Sequence, residues 1–201
     1  RAGDEVYLTA PAATLSRTVD ELGLRKKHAK NVMIIGGGRL GEALAELLRE
    51  AGVRVKLIEH NAERCRELAE RLPDVSVLCA DGTRQDFLFS ENISQMDAVV
   101  ALTNLDEENV FICMYARMGC TNTIARIRSR NYLDGVQLLR EELGLSMAVT
   151  PDLYAAREIF RQLQLPAFLR RESFAKSRAE IVAMEVDADN KLCGKIGRAH
   201  V

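Results

Sequence analysis

The chain has 201 residues, 47% of them hydrophobic, with 28 basic and 29 acidic side chains and a net charge of −1. That length suits one ordinary domain and part of another, with enough apolar material for a sizeable core. The even charge balance gives no reason to expect nucleic acid or an anionic membrane surface as the main partner; no apolar run approaches the ~20 residues that span a bilayer, the opening Arg1-Ala2-Gly3-Asp4-Glu5 lacks the apolar centre of a signal peptide, and a cytosolic protein is expected.

Residues 5–9 alternate as a strand and Ala12 to Leu22 has helical spacing. The basic stretch 25–30 reads as a solvated linker, because nothing aromatic interleaves it. A regular alternation then begins. Strands are predicted over 32–35, 53–58, 75–79, 98–101, 123–127 and 147–149. Helices are predicted over 40–50, 62–72, 84–91, 107–118 and 132–143, with Pro73, Gly119 and Gly144 as stops. Continuous apolar strands alternating with helices mean a parallel sheet covered on both faces. Right-handed crossovers favour the doubly wound strand order 3-2-1-4-5-6. Pro151 suits the first turn of a further helix, 152–163, whose Leu153, Ala156, Ile159, Phe160 and Leu163 form an apolar stripe. A polar run, 170–173, leads to the alternating segment 180–186, which reads as a half-exposed antiparallel strand. The last six residues, 196–201, are expected to be a non-native tail.

The motif that carries chemistry is Gly36-Gly37-Gly38-Arg39-Leu40-Gly41, a Gly-x-Gly-x-x-Gly between a strand and a helix. Gly36 allows the tight turn, Gly38 lets the backbone approach a pyrophosphate, and Gly41 lets the helix pack closely. The helix then turns its unpaired N–H groups and partial positive charge to the phosphates. Glu59 closes the next strand at the spacing of about 20 residues that the dinucleotide fingerprint requires. A carboxylate there accepts both ribose hydroxyls of an adenosine and repels a 2′-phosphate, so NAD(H) is favoured over NADP(H), with His60 beside it weakening that preference slightly. Arg39, inside the loop, is either solvated or reaches terminal phosphates, which leaves room for ATP or ADP.

Three more loops leave carboxyl ends of strands, where ligands gather in open α/β sheets. Asp81-Gly82-Thr83 either caps the following helix or reaches the adenine side of the ligand. Thr103 and Asn104 are candidates for ribose or phosphate, and Arg126 to Arg128 surrounds the fifth strand. Hydride transfer needs a proton donor or acceptor by the nicotinamide. No Tyr-x-x-x-Lys pair is found at Tyr115, Tyr132 or Tyr154, and no lysine lies between Lys56 and Lys176. The sequence therefore shows binding equipment without chemistry, and no enzyme is expected. The five cysteines form no Cys-x-x-Cys pair and the three histidines are scattered, so neither a zinc site nor a disulfide framework is indicated.

The runs 32–41, 55–59, 81–83 and 100–109, with Tyr132 and the passage 149–151, resemble the RCK (KTN) domain of TrkA-type subunits of Trk potassium transporters. The resemblance covers nearly all of residues 1–195. It implies an α/β Rossmann domain of RCK_N type flanked by partial small α+β RCK_C-type units. The expected organisation is the end of a preceding RCK_C-like subdomain and a linker (1–28), the nucleotide-binding domain (29–150), a crossover helix and linker (151–175), and the start of a second RCK_C-like subdomain (176–195). It also implies a regulatory role. Such subunits form a homo-oligomeric ring on the inner face of the plasma membrane, beneath a membrane-embedded potassium transporter subunit of the TrkH or TrkG type. They bind NAD(H), ATP or ADP and gate that partner. By the resemblance, Gly36, Gly38, Arg39, Leu40, Glu59, Asp81, Thr83, Thr103, Asn104, Arg126 and Arg128 line the nucleotide site. One departure is Arg39, which stands where many second-half TrkA domains have asparagine. Two other readings stay open: an NAD-dependent oxidoreductase whose catalytic part lies elsewhere, and an RCK regulator of another transporter.

Overall fold

A computed structural model describes residues 29–120, 122–129, 145–164, 168–174 and 179–185, together with Thr14, Arg17, Thr18, Glu21 and Leu22. The expected strand 5–9 and helices 12–22 and 132–143 lie largely or wholly outside these residues. The chain divides into two units, Lys27–Leu153 and Arg1–Lys26 with Tyr154–Val201.

In the first unit the strands are β1 (Asn31–Ile35), β2 (Arg54–Glu59), β3 (Ser76–Cys79), β4 (Ala98–Ala101), β5 (Thr123–Arg126) and β6 (Met147–Val149). The helices between them are α1 (Arg39–Glu50), α2 (Ala62–Arg71), α3 (Gln85–Ser90) and α4 (Asp106–Ala116). A short 3₁₀ turn, Ile93–Gln95, precedes β4. The six strands form one sheet in the order β3-β2-β1-β4-β5-β6, every pair parallel. This is the doubly wound order expected from the sequence.

Alternation along β1 explains why the sheet is covered twice. Val32 and Ile34 face a cluster with Val55, Leu57, Ala45 of α1 and Leu68 of α2. Met33 and Ile35 face the opposite cluster, with Val99, Leu88 of α3 and Ile112 of α4. Successive side chains point to opposite faces, so an unbroken apolar strand must be buried on both. Asn61 caps α2, its side chain accepting from the amides of Glu63 and Arg64. The register of β1 against β4 is pinned at the far end by Asp97. One of its carboxylate oxygens accepts from the amides of Lys30 and Asn31 at 2.8 and 2.9 Å, and those backbone bonds hold the carboxyl below its usual range.

A further helix, α5 (Pro151–Gln164), starts directly after β6, and its Ile159, Phe160 and Leu163 are exposed. In the second unit β7 (Phe168–Phe174) pairs antiparallel with β8 (Ala179–Met184). The polar run 170–173, read above as a passage, is thus a strand. It escapes sequence reading because Arg-Arg-Glu-Ser carries no apolar alternation, and only its pairing with β8 organises it. Among the described residues no helix is long and apolar enough to cross a membrane.

Candidate functional site: the cleft at the sheet switch point

Strand order reverses between β2-β1 and β4-β5, so the loops after β1 and β4 diverge and leave a crevice between them. Two close backbone approaches shape the glycine turn on one side of it. Gly36 has φ +110°, and a Cβ there would stand 2.7 Å from the Leu102 carbonyl oxygen. A Cβ on Gly41 would stand 2.0 Å from the Gly36 carbonyl oxygen, so α1 packs on the loop itself. Gly38 meets nothing within 4 Å: the space in front of it is open. Gly38 is also the N-cap of α1 and supplies no side chain to it, which leaves the first-turn amides for solvent or an anion.

Glu59 is buried and serves this turn directly. Its Oε2 accepts from the Gly37 amide at 2.8 Å. Its Oε1 accepts from the amides of His60 and Asn61, both at 2.9 Å, and lies 3.0 Å from His60 Nδ1. The sequence reading treated Glu59 only as a ligand acceptor and missed this bracing. Arg64 of α2 was missed altogether. Its Nε donates to the Gly37 carbonyl at 2.9 Å, while its other nitrogens bind Glu42 at 2.6 Å and Glu67 at 2.8 Å. Hydrogen bonds to Glu67 and then Glu42 raise the guanidinium further above its ordinary value. The turn is therefore held at both its N–H and its C=O by side chains from the next strand and helix.

Across the crevice, Asn109 is fully buried and organises the β4 and β5 loops together. Its Oδ1 accepts from the Thr103 amide at 2.8 Å, and its Nδ2 donates to the carbonyls of Thr103 and Arg126. Thr103 Oγ1 closes a local turn with Leu105. Asp81 accepts from both the hydroxyl and the amide of Thr83, at 2.7 and 2.9 Å, and those two bonds lower its carboxyl's affinity for a proton. The N-cap position of α3 is Arg84, so Asp81 and Thr83 build a turn before that helix. Gly82 lets this turn lie on β1, since a Cβ would stand 2.4 Å from Ile35 Cγ2.

The result is a cleft of about 930 Å³ over the carboxyl ends of the strands. Gly36, Gly38, Arg39, Leu40 and Gly41 line one wall. Glu59, His60, Asp81, Gly82 and Thr83 line the β2–β3 end, and Thr103, Asn104 and Arg126 the β4–β5 end. Arg128 is placed differently: its guanidinium donates to the Asn104 carbonyl at 2.5 Å and its amide to Asp106, and it is outside the lining. The lining also takes in Glu108 and Asp152, which sequence reasoning had not selected. Glu108 stands in the first turn of α4, and Asp152 reaches the cleft only because β6 carries α5 to this edge. Arg126 Nε is buried and has no hydrogen-bond partner among the described residues. No metal-like group of His, Cys, Asp or Glu occurs among them either.

This arrangement places the first unit in the class of Rossmann-type nucleotide-binding domains, which open their ligand crevice where the strand order reverses. Residues 32–151 match the family model of the TrkA-N domain, and the chain belongs to that family. It is 32% identical over 201 residues to the Trk system potassium uptake protein TrkA of Vibrio alginolyticus, covering 98% of this chain and 42% of that protein. Against the TrkA protein of Halomonas elongata it is 33% identical over 199 residues, again 98% and 42%. The chain spans less than half the length of these relatives. The fold is shared with the GsuK channel bound to NAD (TM-score 0.53, 20% identity, 72% of this chain and 25% of that one). It is also shared with the Shewanella denitrificans Kef CTD in AMP-bound form (TM-score 0.53, 21% identity, 68% and 81%).

Proposed function

We propose that the chain is the nucleotide-sensing part of a peripheral regulatory subunit of a Trk-type potassium uptake system. The observation that carries this is the open cleft facing Gly38 and the uncapped start of α1, with the Glu59 carboxylate at its other end. An adenine nucleotide lays its phosphates over Gly38 and the α1 amides, with Arg39 and Arg126 as the cations within reach. Glu59 takes a ribose hydroxyl. A carboxylate offers about four lone-pair positions, and three backbone amides already use three of them; one position on Oε2 suits a single hydroxyl rather than both. The buried negative charge still disfavours a 2′-phosphate, so NAD(H), ADP and ATP are the candidates rather than NADP(H). The solved relatives with NAD and with AMP support this class of ligand.

The role is regulatory rather than catalytic. Nucleotide bound between the glycine turn and the β4–β5 loops favours whichever arrangement of those loops it fits better. It shifts a homo-oligomeric ring by at most its difference in affinity for two states. The ring, with the exposed stripe of α5 as a contact between subunits, passes that bias to a TrkH- or TrkG-like membrane subunit on the cytoplasmic side. The test is calorimetric titration of the purified chain with NADH, NAD, ADP, ATP and NADPH. Binding of at least one of the first four, with NADPH at least tenfold weaker than NADH, is expected. Absence of heat and of thermal stabilisation with all five would refute the reading.

A further inference from the structure

β3 is the edge strand of the sheet, and its last residue, Cys79, is exposed. Cys79 stands opposite Glu59 in the parallel register. Cys65 lies one turn into α2, buried, with its Sγ donating to the Glu59 carbonyl at 3.3 Å. Val77 packs in the cluster that holds Leu68 of α2, and the two-residue period of a strand turns Cys79 to that same side. The Glu59 carbonyl that takes the Cys65 thiol also accepts from the amide of Ala80, the residue after Cys79, at 2.9 Å, so the two cysteines flank one carbonyl. Burial first, and then the hydrogen-bonding contact with Cys79, push the Cys65 thiol up to about 12. Cys113 and Cys120 make an instructive contrast, since both are buried and neither offers a sulfur to solvent.

We propose that Cys65 and Cys79 form a peroxide-responsive thiol–disulfide site whose closure weakens nucleotide binding in the adjoining cleft; the second half of this rests on the function proposed above. Cys79, the accessible partner, attacks one peroxide oxygen. The O–O bond breaks, a sulfenic acid forms and water leaves. Cys65 then attacks the sulfenic sulfur; the S–S bond forms, the S–O bond breaks, and the Cys65 proton leaves with the hydroxide as a second water. Two thiols have given two electrons to one peroxide. The Cys65 S–H that bonded the Glu59 carbonyl no longer exists, and the end of β3 is tied to α2 at the turn where Glu59 braces Gly37. Disulfides of this kind in a reducing compartment are transient and sensory rather than structural.

The experiment treats the purified chain, without nucleotide, with hydrogen peroxide and maps its peptides under non-reducing conditions. A Cys65–Cys79 cross-link that dithiothreitol reverses is expected. Cys79 carried to the sulfinic acid with Cys65 unlinked, or a link between two chains, would overturn the site. NADH and ADP titrations of reduced and oxidised protein then read the coupling, with at least a threefold loss of affinity expected on oxidation. Cys79→Ser should bind like reduced wild type and ignore peroxide. Cross-linking with unchanged affinity overturns the coupling. Reduced protein that binds no nucleotide instead overturns the cleft reading, and the cross-link result stands apart from it.

Discussion

At Glu59 and Gly38 one can separate what the fold needs from what a ligand needs. A methyl group on Gly38 meets nothing within 4 Å, and its backbone φ of −66° suits any residue. Gly38→Ala should therefore leave the urea midpoint within error of wild type, while NADH affinity falls at least tenfold because the methyl occupies the pyrophosphate's place. Gly41→Ala should behave in the opposite way. Its Cβ would stand 2.0 Å from a backbone oxygen, and overpacking of that kind costs roughly 1–3 kcal/mol, read as a lowered denaturation midpoint. Glu59→Ala is expected to weaken NADH at least tenfold, about 1.4 kcal/mol. Unchanged affinity in calorimetry would remove Glu59 from the ribose site and leave it only the bracing of Gly37.

Among the elements, α2 matters beyond its packing, because Arg64 reaches from it to the Gly37 carbonyl. Arg64→Met keeps much of the stem and removes the donor, so NADH binding should weaken severalfold with a small change in melting temperature. Arg64→Lys, which keeps the charge but not the fork, should restore only part of it. Equal losses in stability and affinity would mean that Arg64 merely holds the helix. The far end of β1 carries a pH dependence. Asp97 is held below the usual carboxylate range by the amides of Lys30 and Asn31. Its contribution is thus fully present above the unfolded value and is lost as pH falls through the lower folded one. Denaturation midpoints measured from neutral to acid pH should fall less steeply in Asp97→Asn than in wild type. The glycine motif and Glu59 were legible because they sit on fixed spacings between strong periodic segments. Arg64 and Asn109 were not, because a helix side chain's choice of a distant carbonyl leaves no local pattern.

For the molecule as a whole, a nucleotide that binds only the folded state stabilises it by about 2.7 kcal/mol at a hundredfold excess over its Kd. Chemical denaturation with and without NADH should show that increment, and at the same NADH concentration a tenfold weaker Gly38→Ala should show no more than about 1.4 kcal/mol of it. Sequence alone determined the strand order, the position of the glycine turn and the acid one strand over. Hydrophobic period and glycine placement are local properties, and right-handed crossovers leave few ways to wind such a pattern. Only the tertiary structure decided that Glu59 spends most of its acceptor capacity on backbone amides and that Arg128 folds back onto Asn104. It alone made Asp152 a cleft residue and turned a polar run into strand β7. These outcomes depend on which backbone groups are left unpaired when distant segments meet, and a buried amide or carbonyl takes the nearest available partner wherever the chain supplies it.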